Sequence, residues 1–111
     1  LTNHQSNKWS EKQIAAAKEY GAVVDIEFPN INPCGCENYI DALVKEYVEK
    51  IKSVSCGSSN IAVHIMGEMN FTFALTTALK QSGITCLAST TKRVLTPDGK
   101  PVFEFVKFRK Y

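Results

Sequence analysis

The sequence predicts an α/β domain, a three-layer sandwich with a mostly parallel sheet and a C-terminal antiparallel β-hairpin. Three observations predict it. The nearly continuous apolar runs at 61–66 and 84–89 suit parallel strands covered on both faces. Amphipathic helical stripes alternate with strand-like runs along the chain, the order produced by right-handed crossover units. Near the C-terminus a Pro-Asp-Gly turn lies between two β-rich runs, which reads as a hairpin over roughly 93–108.

Size and composition narrow the class. The chain has 111 residues, which reads as one domain over 1–111 with a core that needs no metal or disulfide staple. No apolar run approaches the roughly 20 residues of a membrane span, and no segment resembles a signal peptide. A net charge of +2 is too small to favour general DNA or RNA binding, so any electropositive site must be local. Cys34 and Cys36 flank a single glycine, which is not a zinc-knuckle spacing, and Cys36 and Cys56 bracket a helix too long to bridge. With Cys86 inside an apolar run, the thiols read as structural or incidental and the protein as cytoplasmic.

Each element has its own signal. Ser10 and Gln13 form an S-x-x-Q capping box with Trp9 and Ile14 at the staple positions, so a helix is expected over 10–20, ending at Gly21. Residues 22–28 alternate Val24, Ile26 and Phe28 against Val23, Asp25 and Glu27, the pattern of a strand with one face partly open. Ile40, Leu43, Val44, Tyr47, Val48 and Ile51 form one helical stripe over 37–54. A third helix is expected over 70–82, stopped by Gly83. Leu1 and Thr2 read as the end of a further strand, which makes the expected sheet order 2-1-3-4 with the hairpin on one edge.

Sheets of that kind bind ligands at the carboxyl ends of their strands, where strand order reverses. Four segments should converge there: "TNHQSNKW", "FPNINP", "MGEMN" and "STTKR". Gly67, Glu68 and Asn70 sit where the third helix begins, and free N–H groups there suit an anion. The plainer alternative is a tight turn at Gly67, with Glu68 complementing the helix dipole and Asn70 capping the helix. Ser89, Thr90, Thr91, Lys92 and Arg93 offer hydroxyls and cations suited to phosphate, or else a solvated turn. Asn3, His4, Ser6 and Lys8 add polar groups beside Trp9, with His4 either a candidate acid or base or an incidental loop histidine. His64, mid-strand among apolar residues, reads as a neutral, hydrogen-bonded core histidine. No metal site and no conventional hydrolase constellation is legible from the spacing.

"LTNHQSNKWSEKQ", "FPNINP", "HIMGEMNFTFAL", "CLASTTKR" and "FEFVKFRKY" together resemble small, stand-alone CRISPR-associated proteins. These are similar to minimal CRISPR-associated Rossmann-fold sensors and ring nucleases of type III systems. The resemblance implies a Rossmann-like domain that binds a cyclic oligoadenylate across a homodimer two-fold, with no cofactor. It implies two modes, binding alone or metal-independent cleavage by the ligand's own 2′-hydroxyl. In the second mode Lys92 and Arg93 would neutralise charge, Ser89, Thr90 and Thr91 would position the ligand, and Glu68 would accept a proton. A scaffold that uses the hairpin edge for a protein partner is the other class left open. Phe103, Phe105 and Phe108 are the expected dimer contacts.

Overall fold

A computed structural model describes residues 1–58 and 60–111. Helix α1 spans Glu11–Lys18, α2 Glu37–Val54 and α3 Met69–Gln81; strand β1 spans Ala62–His64, β2 Thr85–Leu95 and β3 Pro101–Lys110. A single 3-10 turn, Ser6–Lys8, precedes α1. The start of α1 follows from the Ser10 cap, which is half of the expected capping box: the Gln13 N–H donates to Ser10 Oγ at 3.2 Å. Gly21 and Gly83 lie past the ends of α1 and α3 with φ of +129° and +77°, backbone that favours glycine. α2 and α3 bury their apolar stripes against each other and the sheet. Phe71, Leu75, Leu79 and Ile65 are fully enclosed, beside Val44, Tyr47 and Ile51.

The sheet differs from the expected sandwich. It has three strands in the order β1-β2-β3, with β1 and β2 parallel and β2 and β3 antiparallel. One parallel pair beside one antiparallel pair is a small mixed sheet, so neither the mostly parallel Rossmann-like sandwich nor the 2-1-3-4 order holds. The parallel pairing of the two apolar runs was correctly read, with Val63 opposite Cys86. The N-terminus contributes an isolated parallel bridge, Thr2 to Met66.

Residues 22–28 account for much of the difference. They form no strand, and among the described residues no main-chain group of 22–31 bonds to another main-chain group. Their alternation is partly met by side chains, since Ile26 and Phe28 pack on the core while Val24 stays 62% exposed. Periodicity sets which side chains turn inward, but a strand also needs a neighbouring backbone, and none lies beside this one.

The hairpin is also larger than expected. β2 runs on without a break from the buried Cys86 to Leu95, so Ser89–Arg93 are strand residues and not a loop. Its pairing with β3 shifts between Thr90, opposite Lys107, and Thr91, opposite Phe105, which leaves Val106 as an extra residue. The bulge has a packing consequence. Phe105 and Phe108 are three positions apart and would otherwise face opposite ways; here their rings meet at 5.0 Å. Phe105 is buried, and Phe108 packs against Trp9, Tyr20 and His64. Two of the three expected dimer phenylalanines are thus absorbed within the chain, and Phe103 alone remains 67% exposed.

Candidate ligand site at the strand ends

The junction after β1 is built by close packing. A Cβ on Gly67 would overlap the ring of Phe28, and the φ of Gly67 is not in the left-handed region. Phe28 in turn meets Phe71 edge-on at 5.4 Å, so the glycine admits an aromatic ring that seals the core beneath α3. Glu68, not Asn70, is the N-cap of α3. Its carboxylate accepts the N–H of Asn70 at 3.1 Å and that of Phe71 at 2.8 Å. The first free donors of the helix are therefore held by the chain's own anion. Asn70 lies exposed in the first turn.

Two other segments reach this junction. The Met66 N–H donates to the carbonyl of Leu1 at 3.2 Å, bringing Asn3 and His4 alongside. Thr2 Oγ1 donates to the His4 carbonyl at 2.6 Å and accepts the His4 N–H at 3.2 Å, which holds the turn. On the other side Ser89 donates from its N–H and Oγ to Met66 Sδ, at 3.2 and 3.0 Å. Ser6 leads away: its N–H and Oγ both donate to Asp25, at 3.2 and 2.6 Å. Lys8 is exposed one turn further along. Trp9 donates from Nε1 to the His4 carbonyl and sets its ring edge on His64, so packing occupies it.

β2 spreads its polar run across two faces. Alternation and register place Ser89, Thr91 and Arg93 on the face of Phe103, Phe105 and Phe108. Thr90 and Lys92 face the other way, with Lys107, Arg109 and Glu104. Thr90 Oγ1 donates to the Lys107 carbonyl at 3.1 Å, while Thr91, Lys92 and Arg93 are exposed. At about 3.4 Å per residue, Arg93 stands roughly 13 Å beyond Ser89 and the junction. β1 pairs only as far as Leu87 on β2, so the edge of β2 beyond Ser89 that faces away from β3 has no strand partner among the described residues.

One signal was readable in the sequence and overlooked. Residues 85–111 carry six cations, Lys92, Arg93, Lys100, Lys107, Arg109 and Lys110, against Asp98 and Glu104. That local surplus of four exceeds the +2 of the whole chain, so the remainder is net negative. The positive charge is concentrated on the hairpin.

A second feature lies beside β1. A cavity of about 770 Å³ runs between β1 and the 22–28 segment, lined in part by Leu1, Ile26, Ala62, His64 and Phe108. His64 faces it without the expected hydrogen bond: neither ring nitrogen has a partner among the described residues. Burial, and then the nearby Leu1 ammonium, push its pKa down to about 4. Burial likewise lowers the pKa of that ammonium, against a smaller opposing effect of Asp25.

The chain matches a family described as the uncharacterized protein MJ1673 family over residues 1–109. It belongs to that family. The match takes in every element described above except the last residues of the chain, Lys110 and Tyr111. No curated protein and no solved structure matches the chain. No helix among the described residues is long and apolar enough to cross a membrane.

Proposed function

We propose that this MJ1673-family chain is a cytoplasmic binding module for a cyclic oligoadenylate, working as a homodimer in CRISPR-associated antiviral defence. One observation carries the reading: the exposed stretch Thr91–Arg93 on a free strand edge that leads away from the Met66–Glu68 junction, within a hairpin that has a surplus of positive charge. Main-chain donors along that edge, with Thr91 and Arg93 on one face of it and Lys92 on the other, suit a ligand that wraps the edge with several phosphodiesters. The adenine and the ring come from the resemblance of the motifs. Binding is favoured over cleavage because both oxygens of the Glu68 carboxylate are already engaged by N–H groups of α3 in capping the helix. Leu95 and Phe103, exposed on the face of Arg93, supply an apolar patch for a two-fold contact. The β3 edge, with Lys107, Arg109 and Lys110, is guarded against strand addition, which disfavours a scaffold using that edge.

The test is calorimetric titration with cyclic tri-, tetra- and hexa-adenylate, without metal, with the products then separated. One ring size should bind and be recovered intact. The Lys92→Ala/Arg93→Ala variant should bind roughly a hundredfold more weakly, from two charge-assisted hydrogen bonds of about 1.5 kcal/mol each. Its stability should stay within about 0.5 kcal/mol. Linear products would establish the nuclease instead, and no binding by the unaltered chain would end the reading.

A further inference from the structure

The loop that leads from Phe28 to α2 carries two thiols outside the site at the strand ends. Cys34 and Cys36 are both exposed, whereas Cys86 is buried with its Sγ directed at the carbonyls of Thr76 and Ile84. Cys56 is exposed too, but it lies past the far end of α2, a helix about 27 Å long. Cys34 and Cys36 are the neighbouring pair.

The turn that carries them is tied at several points. Pro33 follows Asn32 in a turn closed by the Gly35 N–H on the Asn32 carbonyl at 3.0 Å. Asn32 Oδ1 accepts the Cys34 N–H at 2.9 Å, and the Asn32 N–H donates to the Tyr39 hydroxyl at 3.1 Å. The Tyr39 ring lies where a Cβ on Gly35 would stand, so the glycine between the cysteines lets the first turn of α2 pack onto the loop. Cys36 stands at the N-cap of α2, and its side chain accepts no helix N–H. In the same position on α1 and α3, Ser10 and Glu68 each hold N–H groups of their helix. The Cys36 sulfur has no such structural task.

Spacing then decides what the two thiols can do. With one residue between them, their Cα atoms stand at most roughly 7 Å apart even in extended chain, and a turn brings them nearer. A disulfide spans about 4.4–6.8 Å between Cα atoms, so rotation of the side chains within this loop can close one. No group of three histidine, cysteine or acidic side chains placed to hold a metal occurs among the described residues, so the pair alone has too few ligands for a closed metal site.

We propose that Cys34 and Cys36 form a reversible thiol–disulfide pair that exchanges with a low-molecular-weight disulfide of the glutathione class. One thiolate attacks a sulfur of that disulfide, breaking its S–S bond, forming a mixed disulfide and expelling a thiolate. The neighbouring thiolate attacks the protein sulfur of the mixed disulfide, forming the Cys34–Cys36 bond and expelling the second thiolate. Two electrons pass from the pair to the small disulfide, and the two protons released by the cysteines end on the two expelled thiols. The new bond closes a ring around Gly35 alone, so it links no distant elements. In a reducing compartment a pair of this kind serves redox sensing or catalysis and not stapling. The inference is independent of any ligand at the hairpin.

The experiment incubates the full chain with glutathione disulfide, stops exchange with acid and weighs the peptides. Cleavage after Lys18 and Lys45 puts both cysteines in one peptide, 19–45, and leaves Cys56 in another. The 19–45 peptide should lose two hydrogens and carry no glutathione. The Cys56 peptide should gain one glutathione, as an exposed thiol without a neighbour does. Cys34→Ser and Cys36→Ser should each retain one glutathione on the remaining cysteine. In Gly35→Ala the added methyl and the Tyr39 ring compete for one place, and closure should slow at least about tenfold. Two glutathiones on the parent 19–45 peptide, or intact thiols there while Cys56 is modified, would overturn the pair. Closure of Gly35→Ala at the parent rate would overturn the tied turn as its basis.

Discussion

β3 and β1 are the two edge strands of one small sheet, and they differ in length, charge and cover. β3 has ten residues, most of them exposed; it opens with Pro101, carries Glu104, Lys107, Arg109 and Lys110, and is bent by the bulge at Val106. Those are the devices that keep an exposed edge from pairing with another chain. β1 has three residues, no permanent charge and, on its free side, an open cavity lined by apolar and polar residues alike. A long exposed edge is charged and bent, whereas a three-residue edge beside a cavity carries no such guard. The comparison separates two electrostatic settings: the hairpin concentrates the positive charge of the chain, and the β1 side holds an uncharged, half-buried histidine.

Acid should separate the two sides most. With a folded pKa of about 4 against an ordinary 6.5, His64 stays neutral in the fold while the unfolded chain takes up a proton. Its contribution is fully present above about pH 6.5 and is lost as the pH falls toward 4, by up to about 3 kcal/mol. Urea titrations at pH 7 and 4.5 should show this loss, and His64→Leu should reduce it. An unchanged pH slope in that variant would place the acid sensitivity elsewhere.

Gly67→Ala comes next, at about 2 kcal/mol, because the added methyl must displace the Phe28 ring. Pairing it with Phe28→Leu should recover part of that loss in a double-mutant cycle. Simple additivity would mean that the ring is not what the glycine admits.

Tyr111→Phe tests how the C-terminus ties the two sides together. The Tyr111 hydroxyl donates to the Ile65 carbonyl at 2.6 Å, and its N–H donates to the Cys86 carbonyl. Losing the hydroxyl should cost about 1 kcal/mol, seen as a Tm lower by several degrees.

The smallest effect on stability is expected at the guarded edge. Lys107→Val with Arg109→Val should change unfolding by no more than about 0.5 kcal/mol, since both side chains are exposed. It should nevertheless create concentration-dependent association in light scattering, as an unguarded strand pairs with its copies. A variant as dispersed as the parent would show that these charges do not guard the edge.

Local signals carried much of the fold. The Ser10 cap, the stripe of α2, Gly83 after α3 and the Pro-Asp-Gly turn each act through residues within one or two turns, and the structure has each where the spacing predicts it. The parallel pairing of 61–66 with 84–89 was legible because strands covered on both faces must be apolar throughout. Of the candidate site, the residue types could be read, and so could the crowding of cations toward the C-terminus.

What only the tertiary structure decided depends on residues far apart in the chain. The spacing 22–28 describes an amphipathic extended segment, but whether it becomes a strand is settled by the backbone beside it. Gly67 reads as a turn residue until Phe28 is found against it. Glu68 reads as a proton acceptor until its oxygens are found on the N–H groups of α3. The division of Ser89–Arg93 between two faces followed once that stretch proved to be strand, and the meeting of Phe105 with Phe108 followed from one extra residue in a ladder. Periodicity along a chain encodes which way side chains point, but register, partners and close approaches are set by whatever the fold brings alongside.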